Sequence, residues 1–429
     1  LDLFKVDDPG HGEVAFFNVR CTEITDDGTS VSVETELGLQ TMLSEIKRLS
    51  KWVDDGVLDL ILRMNTKDNQ AALDNNRLAQ AEVVIAFCNM LHGMLSPQNP
   101  YAFSRTRIFE VALSEANLPV TLRIARLFLD KFDPKKGGPA AEMPEADLLA
   151  ERRAIEALIE KVDDDEVVGI NVGTVVLSAM LEGVTAALKT NVYLNDRYAL
   201  SIRMDPRFLG HGHAAVGDAT PYGTFFVHGR RFNGFHVRFA DIARGGLRVV
   251  TPPTAESHAL ASTTHYTECY SLAYAQQLKN KDIPEGGAKA VILVEPHNYS
   301  DAPADTSVFI RHKSVKAFAD AILDLLSPEE RCTNRMVDYF GEREILYFGP
   351  DEQITPTDIM WIVDRAEQRS HPAPSSRPTS PRSFAAPSPT SSSRTPSSPP
   401  TAAPTRRRRW RRSSRPTGTP TRRATPGRS

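Results

Sequence analysis

The chain has 429 residues, of which 41% are hydrophobic and 24% charged, an ordinary globular composition with room for two or three domains of about 100–200 residues each. Its four cysteines, Cys21, Cys88, Cys269 and Cys332, form no CxxC pair, which argues against a disulfide scaffold or a zinc site and fits a reducing compartment. The net charge of −3 averages two unlike parts: residues 371–429 carry 13 Arg and no Lys, Asp or Glu, whereas residues 1–370 hold 38 Lys and Arg against 54 Asp and Glu.

The chain opens on Leu1 and not Met, so a fragment with its start missing is expected, and any targeting peptide is out of view. Residues 1–40 read as short strands and turns, with β-type composition over Glu13–Arg20 and Ser30–Glu34 around an Asp26-Asp27-Gly28 turn. From Thr41 the period becomes helical through Met42, Ile46, Leu49, Trp52 and Val53, and continues at Leu58, Ile61 and Leu62. Further helices are predicted at Ala79–Leu95, Thr106–Ala116, Thr121–Phe132 and Glu145–Val162, the last two separated by a Pro- and Gly-bearing loop, Asp133–Pro144. The apolar run Val167–Leu181 falls short of the ~20 residues a bilayer needs and reads as a buried helix or strand, so no membrane association is expected. This half shows no catalytic pattern, and a scaffold or oligomerisation role is its default reading.

The second half alternates. Strands are predicted at Tyr198–Met204, Thr224–His228, Phe235–Phe239, Ala290–Val294 and Glu344–Phe348, and helices at Ala255–Leu278, Val308–Leu326 and Thr357–Gln368, the last capped by Thr355 or Thr357. The expected fold class is α/β: a mixed-sheet domain preceded by a mainly helical region and followed by a disordered C-terminal tail.

Three short loops stand out between residues 240 and 353: Asp241-Ile-Ala-Arg-Gly-Gly-Leu-Arg248, Lys279-Asn-Lys-Asp-Ile-Pro-Glu-Gly-Gly-Ala-Lys289 and Gly349-Pro-Asp-Glu-Gln353. Two of them set a Gly-Gly pair beside a cation, and glycine lets backbone approach a ligand closely. Lys289 leads into an apolar run, which would place its ammonium, partly desolvated, at the mouth of a strand. Burial and neighbouring cations lower a lysine pKa, and such a lysine can serve as an acid or base near neutrality. Arg244, Arg248 and Lys279 add positive charge suited to a small substrate with more than one carboxylate. An acid in the third loop could handle protons on an amine, so amino-acid chemistry is favoured over phosphate chemistry.

At this point the residues resemble the large NAD-specific glutamate dehydrogenases, of the Glu/Leu/Phe/Val dehydrogenase superfamily, in their N-terminal and substrate-domain portion. The resemblance runs through Lys189–Tyr193, Leu200–Pro206, Phe225–Gly229, Gly234–Phe239, Asp241–Gly246 and Gln277–Lys289, and ends near Gly349–Glu352 and Arg365–Arg369. It implies residues 1–188 as a helical extension and residues 189–369 as the substrate domain. It implies Lys289 as the catalytic lysine and Lys279 as the holder of the substrate α-carboxylate. Arg244 stands where smaller relatives have Lys, and with Gly245, Gly246, Gly286 and Gly287 it would contact substrate. The catalytic acid stays open between Asp351 and Glu352, because the fifth residue of the Gly-Pro-Asp loop, an acid in smaller relatives, is Gln353 here. Ala290 is a second departure, at a position usually Gly.

The resemblance implies oxidative deamination of L-glutamate to 2-oxoglutarate and ammonia with NAD, carried out by a homo-oligomer in mitochondria or cytoplasm. A non-catalytic regulatory or assembly subunit that retains the substrate fold is the alternative. No GxGxxG string follows a strand; Gly210-His-Gly212 with Gly217 has the wrong spacing. The NAD-binding Rossmann domain is therefore expected to be absent and the fragment inactive alone. No metal-ligand pattern is found, and His211 and His213 read as surface residues. Arg, Pro, Ser, Thr and Ala fill 54 of the last 59 positions. The Arg406–Arg412 run could bind nucleic acid, but residues 370–429 are read instead as a frameshifted or mispredicted tail that begins where the resemblance stops.

Overall fold

The computed structural model describes residues 2–8, 12–18, 23–24, 30–31, 55–64, 67–74, 76–136, 145–162, 166–167, 169–194, 196–210, 219–279, 281–296 and 306–370. The tail, the helical period before Asp55, the second part of the 133–144 loop and the His211/His213 loop lie outside them.

Two antiparallel pairs come first: β1 (Asp2–Asp8) with β2 (Gly12–Asn18), and β3 (Glu23–Ile24) with β4 (Ser30–Val31). Five helices follow: α1 (Asp55–Met64), α2 (Arg77–Leu95), α3 (Arg105–Leu113), α4 (Leu118–Phe132) and α5 (Glu145–Ile159). Asn76 caps α2 by accepting from the Ala79 amide at 3.2 Å, and Ser104 caps α3 by accepting from Arg107 at 3.3 Å. Each thereby satisfies an amide that the first turn leaves without a partner. A small hairpin, β5 (Glu166–Val167) and β6 (Ile170–Asn171), leads into α6 (Val172–Ala186), so the apolar run after Val167 is a hairpin arm and then a helix.

A seven-stranded sheet follows. Its strands are β7 (Ala187–Thr190), β8 (Leu200–Met204), β9 (Gly223–Gly229), β10 (Phe232–Arg238), β11 (Ala243–Val250), β12 (Gly286–Val294) and β13 (Gly349–Pro350), in the order β13-β11-β12-β10-β9-β8-β7. From β7 to β10, and between β10 and β12, the pairing is antiparallel; β11 runs parallel to both β12 and β13. Between strands lie the short α7 (Pro206–Gly210), α8 (Ala255–Gln277), α9 (Thr306–Leu326) and the short α10 (Glu330–Thr333), and α11 (Pro356–Ser370) closes the described chain. The expected mixed α/β sheet is thus observed.

Helices cover both faces. On one, Phe226, Phe235, Val237 and Val291 pack with Tyr266, Cys269 and Tyr270 of α8 and with α2. On the other, Leu247, Val249, Ala290 and Ile292 pack with Phe318 and Ile322 of α9 and Ile362 of α11. All nine residues of β12 are buried, as expected for a strand sandwiched between helical layers. Helix α2 is buried from Ala79 to Leu95. Among the described residues it is the one helix long and apolar enough to cross a membrane, a stronger candidate by length than the Val167–Leu181 run. Its apolar surround is protein, including α1, α3, α4, α6, α8 and β9. The hydrophobic cluster around α2 continues from Val57 to Val337, and a boundary at 188/189 falls inside β7.

Buried ion pairs connect distant segments. Arg197 and Glu82 join the β7–β8 connection to α2. Arg369 meets Asp324 at 2.5 Å and Asp320 at 2.7 Å, and Arg365 meets Asp320 at 2.6 Å, which docks α11 on α9. Thr355 and Asp358 exchange bonds at the start of α11 (Asp358 N–H to Thr355 Oγ1, 3.3 Å; Thr355 N–H to Asp358 Oδ2, 2.9 Å), so Thr355 is the cap. The expected strand over Glu344–Phe348 is absent. Leu346 and Phe348 do turn inward while Ile345 and Tyr347 face out, which accounts for the strand-like alternation, but among the described residues no strand pairs with this backbone. The segment is held by its side chains instead: Arg203 and Arg238, both buried, grip the Glu344 carboxylate, and Phe340 stacks 3.7 Å from the Arg203 guanidinium.

Burial holds His92 and His265 at a pKa of about 4 and His236 at about 3, with like charges nearby adding to the effect. All three are therefore neutral in the fold and protonated in the unfolded chain between these values and about 6.5. The unfolded state binds more protons in that window, so stability rises with pH across it and falls on acidification. Denaturant unfolding at pH 6.5 and pH 4.5 should show a loss of roughly 1 kcal/mol per pH unit for each of these imidazoles. A midpoint unmoved between the two pH values would contradict the assignment.

Candidate active site

Side chains alternate along a strand, so Gly287, Lys289 and Val291 of β12 share the face toward α8. At Gly287 there is no room for more than hydrogen: a Cβ would lie 2.1 Å from the Gln277 nitrogen and 2.3 Å from the Ala273 oxygen. The end of α8 therefore rests directly on the strand, and the Gln277 side chain accepts from the Gly287 amide at 2.7 Å. Lys289 emerges two residues further on. It is not at a strand mouth in a loop, as expected, but is the fourth residue of a nine-residue strand, with its side chain 6% exposed.

A buried ammonium needs an anion. Asp351 supplies it: Lys289 Nζ donates to Asp351 Oδ2. The register explains how the carboxylate gets there. Lys289 lies beside Gly246 of β11, and Gly246 lies beside Gly349 of β13, two residues before Asp351. A Cβ on Gly246 would come within 2.8 Å of the Asp351 Cβ, so Asp351 occupies the space a side chain at 246 would fill. Burial pushes the Asp351 carboxyl up, but the hydrogen bond and charge of Lys289, with the charge of Arg248, outweigh it and hold the group below the usual carboxylate range.

Arg248 is next on the same face of β11. Its Nη1 donates to Glu268 Oε1 of α8 at 3.0 Å, and its Nε lies 3.6 Å from Asp351 Oδ2 and 3.5 Å from Glu352 Oε2. The Glu352 carbonyl accepts from Val249 at 3.0 Å, fixing the turn after β13 to β11. Glu352 therefore faces Arg248, whereas Asp351 touches the lysine. Gln353 sits in the left-handed region (φ 60°), and its side-chain oxygen accepts from Thr251 Oγ1 at 2.7 Å, so the amide at this position is engaged in the turn.

A second charged group lies where the first two sequence loops meet. Gly286 N–H donates to Ile242 O at 2.8 Å. Arg244, 62% exposed, pairs with Glu285 at 2.9 Å. Lys281 donates to the Glu285 and Gly286 carbonyls at 3.1 and 2.7 Å, and burial, with Arg244 and Lys279 as like charges, lowers its pKa. Lys279 is exposed just beyond the end of α8.

The structure thus joins Lys289, Asp351 and Gly246 at one point with Glu352 behind Arg248. Arg244, Gly286 and Lys279 belong to the adjoining cluster, and Gly245 and Gly287 are sites of tight backbone approach; a Cβ on Gly245 would lie 1.7 Å from the Ala288 oxygen. The first of the three supposed loops is largely strand and the second ends in one, because their glycines serve sheet and helix packing. Sequence reasoning missed Glu268, Lys281 and Glu285. Glu268 did leave a trace: it and Glu256 are the two charged residues in the 23 of α8. Among the described residues no group of three or more His, Cys, Asp or Glu is placed to hold a metal. None of the described strand-to-helix turns carries the glycine-rich sequence that a dinucleotide pyrophosphate needs.

Residues 159–338 match the family described as bacterial NAD-glutamate dehydrogenase, catalytic domain. The chain is 39% identical over 194 residues to "Glutamate dehydrogenase 2" of Dictyostelium discoideum, covering 45% of this chain and 17% of that protein. It is 36% identical over 236 residues to the NAD-specific glutamate dehydrogenase of Neurospora crassa (54% and 20% covered) and 40% identical over 185 residues to that of Saccharomyces cerevisiae (43% and 16%). Over residues 159–338 the chain is similar to the NAD-specific glutamate dehydrogenases. It spans a fifth or less of the length of these glutamate dehydrogenases. The family match takes in Lys289, Arg244 and Arg248 and stops before Asp351, so the aspartate is placed here by geometry.

Gly246→Ala should push Asp351 off Lys289. A crystal structure of the variant is expected to show the Nζ–Oδ2 separation opened beyond about 4 Å, the outer limit of an ion pair; an unchanged pair would mean the turn after β13 yields freely.

Proposed function

We propose that the parent enzyme oxidatively deaminates L-glutamate to 2-oxoglutarate and ammonia with NAD, and that this chain supplies the substrate half of its cleft. The observation that carries this reading is the pairing of the buried Lys289 with the half-buried Asp351, bordered by Arg248 and by the cluster of Arg244, Lys279 and Lys281. NAD would supply the hydride acceptor, held by a part of the parent enzyme outside the described residues. Lys289 polarises the water that attacks the imino carbon and steadies the oxygen of the resulting carbinolamine. Asp351, ionised and next to the lysine, takes a proton from the substrate ammonium and returns one to the departing ammonia. Glu352, turned to Arg248, is the second candidate for that proton. Arg244 and Lys279 hold the substrate carboxylates; two cationic anchors besides Lys289 suit a dicarboxylate. A symmetric homo-oligomer is the proposed assembly.

The purified chain should bind L-glutamate in isothermal titration calorimetry and bind leucine far more weakly. Lys289→Met should weaken glutamate binding at least about 30-fold, the ~2 kcal/mol typical of losing one partner of a desolvated charged contact. Equal binding of leucine, or none of glutamate, would overturn the substrate assignment. We propose further that the chain alone forms no NADH from glutamate and NAD. Sustained NADH formation would refute that division of labour, and co-assembly with a full-length enzyme without turnover would favour a regulatory subunit.

A further inference from the structure

Arg248 stands between two sets of carboxylates. On one side is Glu268 of α8, hydrogen-bonded to Nη1 at 3.0 Å. On the other are Asp351 and Glu352, 3.6 and 3.5 Å from Nε. The stronger contact is to α8; those to the turn are ion-pair distances, beyond hydrogen bonding. Asp351 meanwhile keeps Lys289 as its hydrogen-bonded partner. The groups facing Asp351 are therefore Lys289 from β12, Arg248 from β11 and Glu352 from its own turn, with Glu268 from α8 acting one step removed.

We propose that Glu268 is a positioning residue for Asp351, acting through Arg248: it draws the guanidinium toward α8 and leaves the aspartate to Lys289 and to substrate. The proposal rests on the reading of Asp351 as the proton carrier. Were Arg248 released from Glu268, its charge would fall wholly on Asp351 and Glu352. Asp351 would then be clamped between two cations, a poorer base and a less available partner for a substrate ammonium. Geometry gives Glu268 the position for this role: its carboxylate meets the Arg248 guanidinium, while the residues that seat α8 on the sheet are its neighbours Ser262, His265, Tyr266, Cys269, Tyr270 and Ala273.

The two halves of the relay predict effects of opposite sign. Removing Arg248 takes a cation from Asp351 and should raise its titration midpoint. Removing the charge of Glu268 unmasks that cation and should lower it. The measurement is carbon-13 NMR of the full chain labelled at aspartate side-chain carboxyls, with the Asp351 resonance identified by its loss in Asp351→Asn. Arg248→Met is expected to move the midpoint up, and Glu268→Gln to move it down, each by about half a pH unit, a threefold change in protonation at fixed pH. Glu268→Asp, which keeps the charge, should stay near wild type, separating a charge effect from a packing effect. Shifts in the same direction, or a midpoint that Glu268→Gln leaves in place, would overturn the proposal. Glutamate titration calorimetry on the same samples keeps the two readings apart. Opposite shifts without glutamate binding would sustain the relay and sink the substrate assignment; binding without opposite shifts would do the reverse.

Discussion

An ammonium four residues into a buried strand is the constraint around which this site is built. Left alone, the Lys289 charge would be costly to bury, by several kcal/mol even after relaxation. The fold answers with one aspartate, and bringing it there makes demands elsewhere. β13 must lie beside β11, so Gly246 has no side chain. The irregular segment before β13 must hold its course, so Arg203 and Arg238 are sunk beneath the surface to grip Glu344. The helix after β13 must stay docked, so Arg365 and Arg369 pair with Asp320 and Asp324 on α9. A two-residue strand has too little ladder to fix its own place; buried ion pairs on either side do it.

The charges divide into two groups with different characters. Around Lys289 the contacts are enclosed and the aspartate is ionised more readily than usual. Around Glu285 two basic side chains, Arg244 and Lys281, meet one acid with the charge of Lys279 nearby, and Arg244 is largely open to water. The first arrangement suits proton movement at a fixed point. The second suits capture of an incoming anion, since surplus positive charge near solvent attracts substrate over distance.

Much of this was legible in the sequence. The helices over Ala79–Leu95 and Ala255–Leu278 sit within two residues of their observed ends, because apolar periodicity and caps such as Asn76 and Thr254 are local signals. The Lys289, Gly246 and Asp351 motifs were visible as strings, and their resemblance to glutamate dehydrogenases agrees with the family match. What could not be read was geometry set by pairing. Nothing local shows that Gly-Gly at 245–246 lies within a strand, or that Gly287 is small for the sake of a helix. The Glu344–Phe348 alternation misled for the same reason: period two reports which side chains turn inward, not whether a neighbouring backbone is there to pair. Choosing Asp351 over Glu352 as the lysine's partner needed the β11–β13 register, which joins residues about 100 positions apart.

Helix α2 carries a consequence for how the chain comes into being. During synthesis it emerges about 130 residues before β9, and longer still before α8, both of which cover it in the finished fold. At typical elongation rates of about 5–20 residues per second, that is roughly 6 to 26 seconds with part of its apolar face uncovered. Helices α1 to α6 can shield it in the interval only in part. The nascent protein therefore passes through a stage with a sticky, membrane-like helix on its surface, a natural substrate for a holding chaperone at the ribosome.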